Sequence, residues 1–453
     1  MKTVITYGTF DLFHSGHHRL LERAKRLGDK LIVGVTSDLY DQARGKLNVM
    51  QSCEERVENV RRSGLADEII IEREEGQKLR DIRELKADIF AIGSDWTGKF
   101  DYLEEFCEVI YLERTKGVSS TDIRRQLVPI IRIGIVGCGR IAGRFLAESR
   151  YVSGLEVTCV CSRDSKKAAA FATEYEIAGA YSNFRHMLSA VDAVYIATPH
   201  HVHFEYASQA LEAGKHVLCE KPLVLTTEEV IQLYKLAESK GCVLMEAIKT
   251  AYAPGFNQLI GIAGSGTIGT IKSVDASFTK LITDKTLREY DAAQAGGAFT
   301  ELGSYPLLAI TKLLGTQPEQ ISFFCEKDAD SGVDTFTRAN FIYPGALATA
   351  TVGIGAKREG DLCITGTAGY IYVPAPWWKT EYFEVRYEDS RFNRKYFTRF
   401  EEEGLRYEIA AFLRLINGTP LPQQSLTTDE TTFMTSVIEQ FRQGKNLSLL
   451  KNS

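Results

Sequence analysis

Two glycine-bearing turns, each leading from a strand into a helix, constrain this chain more than any other feature. The first, Gly8-Thr9-Phe10-Asp11-Leu12-Phe13-His14-Ser15-Gly16-His17, follows the apolar run Thr3–Tyr7. The second, Gly137-Cys138-Gly139-Arg140-Ile141-Ala142, follows Ile131–Val136. Glycine lets the backbone approach a ligand closely, and the unpaired N–H groups of a helix start attract anions. After each turn, apolar runs alternate with charged helical segments. In the first third these runs are Leu31–Val35, Ile69–Ile71, Ile89–Ile92 and Val109–Leu112, and Ser52-Cys53-Glu54-Glu55 opens one helix with a capping-box pattern. The alternation predicts an α/β chain with a parallel sheet, covered on both faces, behind each turn.

A chain of 453 residues is too long for one ordinary core. We expect an α/β domain over 1–128, a dinucleotide-binding α/β domain over 130–250, and an α+β domain over 251–453. Pro129 stops the last helix of the first domain and Ile131 already starts the next strand, so the two halves should be rather rigidly joined. Beyond Glu246 the texture changes. Ile271–Leu281, Thr335–Tyr343, Leu347–Val352 and Tyr370–Val373 read as an open, mostly antiparallel sheet, and helices are expected near Tyr407–Ile416 and Thr427–Arg442.

A net charge of −5 argues against a broad nucleic-acid surface. Met1 and Lys2 run straight into a short strand, which predicts no secretory signal, and no uncharged stretch has the length of a membrane span. Nine scattered cysteines, without zinc spacing, predict reduced thiols, no structural metal and a cytoplasmic location.

In the first turn, His14 and His17 stand three residues apart, so both can face one ligand beside the backbone of Gly8, Thr9 and Phe10. Two imidazoles at a helix start suit displacement at a phosphorus, where placement and charge stabilisation do most of the work. A capping turn with incidental histidines is the alternative. A second segment, Arg114-Thr115-Lys116-Gly117-Val118-Ser119-Ser120-Thr121, adds a cation and hydroxyls late in the same domain.

These two segments, with Leu20–Asp38 and Gly93-Ser94-Asp95-Trp96-Thr97-Gly98-Lys99-Phe100-Asp101, resemble the cytidylyltransferase family, in particular its glycerol-3-phosphate members, over about residues 1–128. The resemblance implies that CTP and an alcohol phosphate give a CDP-alcohol and pyrophosphate. Mg²⁺ is then expected on the CTP phosphates, near Asp11. It assigns transition-state stabilisation to His14 and His17, and phosphate contacts to Lys46, Arg114, Thr115, Ser119 and Ser120. Asp95 and Trp96 would frame the nucleotide. Lys116 stands where the family carries an acidic residue, and Gly64 where glycerol-phosphate members carry arginine. The acceptor phosphate would then be gripped by Arg56, Arg61 or Arg62.

The second turn has the spacing of a dinucleotide site, with Gly137 for the tight turn, Gly139 for the pyrophosphate and Ala142 for helix–strand packing. Cys138, Arg140 and Ile141 complete this contact surface. At the end of the next strand, Ser162 cannot repel a 2′-phosphate and Arg163 could bind one, which favours NADP(H) over NAD(H). The alternative has Arg163 on the adenine and Asp164 on the ribose. Thr198, Pro199 and His203 fall on a loop at the cofactor edge, and Glu220-Lys221-Pro222 presents a lysine there.

These features resemble the Gfo/Idh/MocA oxidoreductase family over roughly 130–450. The resemblance implies hydride transfer between NAD(P) and a carbon bearing a hydroxyl or carbonyl, and a Rossmann domain followed by the open-sheet domain. It maps the family lysine to Lys221 and its later catalytic pattern to Glu301 and Tyr305. Tyr305 would donate a proton, Lys221 would lower its pKa, Glu301 would orient substrate hydroxyls, and Lys249 could bind a substrate phosphate. Together the halves suggest reduction of a ketose or aldose phosphate followed by coupling to CMP. The product would be a CDP-polyol for capsule or teichoic-acid-like polymers. In the alternatives, reduction follows transfer, or one half is a non-catalytic binding module. The implied partners are small molecules and a second copy of the chain, as a dimer or larger homo-oligomer.

Overall fold

The computed structural model describes residues 2–43, 49–74, 76–113, 130–419, 421 and 424–450. The chain divides into two compact units, Met1–Ile130 and Ile131–Ser453.

In the first unit, β1 (Thr3–Gly8), β2 (Lys30–Thr36), β3 (Glu68–Glu72), β4 (Ile89–Gly93) and β5 (Glu108–Leu112) form a parallel sheet in the order β3-β2-β1-β4-β5. All five expected runs are strands. They are apolar on both faces because both faces are covered. Val4, Leu31, Val33 and Ile89 pack on one side with Leu21, Ala24 and Val60. Ile5, Tyr7, Ile32 and Phe90 pack on the other with Ile82 and Leu103. The strand order reverses at β1, so a crevice opens beyond the carboxyl ends of β1 and β4. The capping box is present, with Ser52 accepting from the Glu55 N–H and Glu55 accepting from the Ser52 N–H.

The second unit opens with β6 (Ile131–Val136), β7 (Leu155–Cys161), β8 (Gly179–Tyr181), β9 (Ala193–Ile196), β10 (His216–Glu220) and β11 (Leu244–Ala247). They form a parallel sheet in the order β11-β10-β9-β6-β7-β8. Here the reversal lies between β6 and β9. A nine-stranded sheet follows, built from β12 (Ile271–Thr279), β13 (Gln320–Lys327), β14 (Asp334–Tyr343), β15 (Ala346–Gly353), β16 (Leu362–Gly366), β17 (Tyr370–Val373), β18 (Tyr382–Arg386), β19 (Arg394–Phe397) and β20 (Leu447–Leu449). Its order is β19-β18-β17-β16-β12-β15-β14-β13-β20, antiparallel except for β12 with β15 and β13 with β20. The inner face packs on the helix Ser304–Leu314, whose Leu307, Leu308 and Ile310 are fully buried.

The closing helices run Leu405–Ile416 and Thr428–Arg442, close to expectation. A buried ion pair fastens the first of them to the parallel-sheet part, with Arg406 Nε donating to Glu148 at 3.0 Å. Strands β13, β16, β18, β19 and β20 were not anticipated. Of these, β16, β18, β19 and β20 are only three to five residues long, so their pairing comes from the neighbouring strand rather than from their own pattern. All nine cysteines are free thiols. Among the described residues, no helix is long and apolar enough to cross a membrane, and no cluster of three or more His, Cys, Asp or Glu is placed to hold a metal ion.

Candidate active sites

The first site lies at the carboxyl end of β1. A Cβ on Gly8 would lie 2.9 Å from the Phe10 ring, so the turn closes only around glycine. Phe10 (φ 54°) and Leu12 (φ 50°) both take left-handed backbone, a strain of about 1–3 kcal/mol each. The next loop holds this shape. Asp11 Oδ1 accepts from the N–H groups of Met50 and Gln51 at 3.1 and 3.0 Å, and the Leu12 N–H donates to Gln51 Oε1 at 2.8 Å.

His14 caps the helix Ser15–Lys25, its Nδ1 accepting from the Gly16 N–H at 3.0 Å. The His14 and His17 rings stack at 3.9 Å between centroids, and His17 meets Phe10 edge-on at 5.4 Å. The two imidazoles are thus held as one block, half-buried at the crevice. Trp96, 40% exposed, stands on the short turn after the neighbouring β4. Lys46, Arg114, Thr115, Ser119 and Ser120 lie outside the described residues, as does the Asp95 side chain.

One expectation changes here. Arg56 is fully buried. Its guanidinium donates to the Thr9 carbonyl (2.8 Å), the Gln51 carbonyl (3.0 Å) and Asp38 (2.6 Å), and pairs with Asp41 at 3.2 Å. A group so enclosed braces the Thr9 loop and does not reach an acceptor phosphate. Arg61 and Arg62 pair with Glu58 on an exposed helix face. Asp11, 2% exposed, braces the loop by accepting from the Met50 and Gln51 N–H groups.

The second site is built around Gly137 (φ 110°), whose added Cβ would lie 2.5 Å from the Ala197 carbonyl oxygen. Gly139 caps the helix Arg140–Ser149, and an added Cβ there would meet nothing within 4 Å. The turn is therefore tight underneath and open above, the shape of a pyrophosphate cradle at a helix N-terminus. Cys138 and Ile141 are half-buried beside it, and Arg140 is exposed. At the end of β7, Ser162 is half-buried and Arg163 exposed. Asp164 Oδ1 caps the next helix, accepting from the Lys166 and Lys167 N–H groups at 2.9 and 3.2 Å.

His203 is fully buried. Its Nε2 lies 2.9 Å from the Thr198 carbonyl and its Nδ1 3.0 Å from the Pro222 carbonyl. It ties the Thr198-Pro199 loop to the Lys221 loop from behind and does not itself reach a cofactor. Glu220 accepts from the Tyr195 hydroxyl at 2.6 Å, and burial raises its pKa.

Lys221 Nζ donates to the Glu301 carbonyl at 2.7 Å and lies 5.9 Å from the centre of the Tyr305 ring. The Glu301 carboxylate is already engaged. Oε1 lies 2.9 Å from His200 Nε2 and 2.9 Å from Arg288 Nη1, and Oε2 accepts from Arg288 Nη2 at 3.0 Å. Burial pushes the Glu301 pKa up, but His200, Lys221 and Arg288 outweigh it and hold the carboxyl at about 2. Burial keeps His200 below its ordinary value. Glu301 thus anchors Arg288 and His200. Arg288 carried no signal in the sequence. His200 fell within the histidine run but had no assigned partner.

Tyr305 packs against Phe278 at 5.0 Å and Trp378 at 6.5 Å. Burial, with Glu220, Glu408 and Glu403, raises its pKa far above the ordinary phenol range. The expected lowering by Lys221 is therefore reversed, because burial disfavours the phenolate and that ammonium is committed to the Glu301 carbonyl. Lys249, on the turn after β11, pairs with Glu403 at 3.3 Å.

These two sites define a two-headed enzyme, a nucleotidyltransferase and a dinucleotide-dependent oxidoreductase on one chain. Residues 5–126 match the cytidylyltransferase-like family model. Residues 131–248 match the NAD-binding Rossmann-fold oxidoreductase family and 256–372 the GFO/IDH/MocA C-terminal domain. The chain belongs to the cytidylyltransferase family in its first unit and to the GFO/IDH/MocA oxidoreductase family in its second. Glycerol-3-phosphate cytidylyltransferase of Bacillus spizizenii is 50% identical over 130 residues, 29% of this chain and 100% of that protein. Trans-1,2-dihydrobenzene-1,2-diol dehydrogenase of Bos taurus is 34% identical over 268 residues, 58% of this chain and 79% of that enzyme. The solved structure of KijD10, a 3-ketoreductase from Actinomadura kijaniata in complex with NADP and TDP-benzene, matches with TM-score 0.64 and 25% identity, covering 71% of this chain and all of that one.

Proposed function

We propose that the second unit reduces a ketose or aldose phosphate to a polyol phosphate, and that the first couples this product to CMP. The observation that carries the reading is that one chain holds both a paired-histidine helix start and, on a second parallel sheet, a glycine cradle and the loop whose Lys221 lies near Tyr305. NADPH, when bound, supplies the hydride. Tyr305, protonated at neutral pH, gives its proton to the carbonyl oxygen as the carbonyl carbon accepts that hydride, so the substrate gains two electrons and two protons in all. Lys221 holds the Glu301 segment in register with the phenol.

In the transfer step, the polyol phosphate oxygen attacks the α-phosphorus of CTP and pyrophosphate leaves. His14 and His17 stabilise the charge that develops, Lys46, Arg114, Thr115, Ser119 and Ser120 hold the triphosphate, and Asp95 and Trp96 frame the base. Mg²⁺ enters on the CTP phosphates. NADP(H) is favoured because Asp164 is committed to capping and leaves Arg163 to meet a 2′-phosphate. The CDP-polyol would serve capsule or teichoic-acid-like polymers in the cytoplasm, with the chain as a homo-oligomer.

The TDP-benzene bound to KijD10 favours a second reading, in which the oxidoreductase acts on the CDP-linked sugar after transfer. Incubation with CTP, NADPH and C3 to C7 sugar phosphates, followed by order-of-addition experiments, tests both readings. NADPH oxidation that yields a CDP-polyol supports the first. Oxidation that begins only after CTP is added supports the second. No coupling with any sugar phosphate refutes both.

A further inference from the structure

In the second unit, three cations from separate segments meet on one carboxylate oxygen. Arg144 Nη1, Lys249 Nζ and Lys379 Nζ lie 3.4, 3.3 and 3.4 Å from Glu403 Oε2. Arg144 stands on the helix that starts at the glycine cradle, Lys249 on the turn closing β11, and Lys379 on the short turn Trp377–Lys379. The segments are fastened to one another. Thr250 Oγ1 donates to the Trp378 carbonyl at 2.8 Å, and Lys379 Nζ donates to the Glu402 carbonyl at 2.9 Å. Glu148 accepts from the Glu403 and Arg406 N–H groups at 2.9 and 3.1 Å.

One carboxylate does not neutralise three cations, so the cluster keeps a surplus of positive charge. Of the other carboxylates nearby, Glu220 and Glu408 are pushed toward their neutral forms by burial, and Glu148 is paired with Arg406 at 3.0 Å. The cluster is reachable, since the Arg144, Lys249 and Lys379 side chains are 45%, 13% and 26% exposed. It also borders the reaction centre. Trp378, next to Lys379, stacks on Phe278 at 3.6 Å, and both rings pack against Tyr305.

We propose that Arg144, Lys249 and Lys379 form the subsite for a phosphoryl group carried by the oxidoreductase's substrate, with the Glu403 carboxylate standing in for its oxygens until substrate arrives. This rests on the reading of the second unit as a reductase of phosphorylated sugars. A phosphate offers three acceptor oxygens where Glu403 Oε2 offers one, so each cation gains a charge-assisted bond of its own. The phosphoryl group could belong to a sugar phosphate or to the diphosphate of a nucleotide-linked sugar, and the chemistry is the same for both.

The test uses the full chain. NADPH oxidation is measured with a sugar phosphate, the matching CDP-linked sugar and the unphosphorylated sugar. The variants are Arg144→Gln, Lys249→Gln, Lys379→Gln and Glu403→Gln, with NADPH fluorescence as the check on folding. Each cation variant should reduce the kcat/KM preference for the phosphorylated over the free sugar about tenfold or more, mainly through KM. The phosphorylated substrate that loses its advantage identifies the source of the group. Glu403→Gln should act in the opposite direction and tighten inhibition by inorganic phosphate severalfold.

An unchanged preference in all three cation variants overturns the subsite while leaving the functional reading intact. If no phosphorylated sugar is turned over, the functional reading fails, and calorimetry with inorganic phosphate on the NADPH-loaded protein decides the subsite alone. Binding that weakens in Lys249→Gln and Lys379→Gln supports it, and binding that is absent or equal in every variant overturns it.

Discussion

Glu301→Gln is the perturbation whose size the structure defines best. The carboxylate is 5% exposed and takes two contacts from Arg288 and one from His200. Its pKa falls from an ordinary 4.5 to about 2, which as linkage corresponds to about 3 kcal/mol at neutral pH. The Arg288 side chain is 40% exposed, so solvent screens part of this, and about 2 kcal/mol is the expected loss. The sign follows from the lowered pKa. The contribution is complete above the unfolded carboxyl pKa and is lost as pH falls through the folded value near 2. The gap between the proteins should therefore be full at pH 7 and shrink below about pH 4.

Tryptophan fluorescence can follow this, because the chain has three tryptophans and two of them, Trp377 and Trp378, lie in the second unit. In a Trp96→Phe background, urea unfolding should give a midpoint lower by about 0.5 M or more at pH 7, with an unchanged slope. Equal midpoints at pH 7, or a gap that widens toward pH 4, would refute the anchoring role.

Tyr305→Phe should lower reductive turnover by about a hundredfold or more while NADPH affinity, followed by fluorescence titration, changes less than about threefold. Gly137→Ala places a Cβ 2.5 Å from the Ala197 carbonyl at φ 110°, so a loss of about 2 kcal/mol in thermal unfolding and a loss of NADPH binding are expected. Arg163→Ala should reduce the NADPH-over-NADH ratio of kcat/KM about tenfold, and a ratio that does not move would give NAD(H) equal standing.

The strands of the two parallel sheets were legible because their residues are apolar on both faces, and a run such as Leu31–Val35 has no other stable use. The turns were legible for a similar local reason, since Gly137 and Gly139 are required by backbone geometry at those very positions. The nine-stranded sheet was only partly legible, because strands such as Arg394–Phe397 are mostly exposed and owe their conformation to the strand beside them. In the candidate sites, the reactive types were visible and their partners were not. Arg56 and Arg288 are both arginines in charged stretches, yet one is fully enclosed and the other holds Glu301 from a distant loop.

The sequence alone determined that this chain has two glycine-bearing strand-to-helix turns, each on its own parallel sheet, and it nominated His14, His17, Lys221 and Tyr305 as the candidate reactive groups. Such features depend on residues close together in the chain. The tertiary structure decided which charges meet. Glu301 was claimed by His200 and Arg288, Asp164 by its helix start, and Glu403 by three cations from distant segments. Electrostatic partnership depends on separations of a few ångströms, and only the packed fold sets those separations between residues hundreds of positions apart.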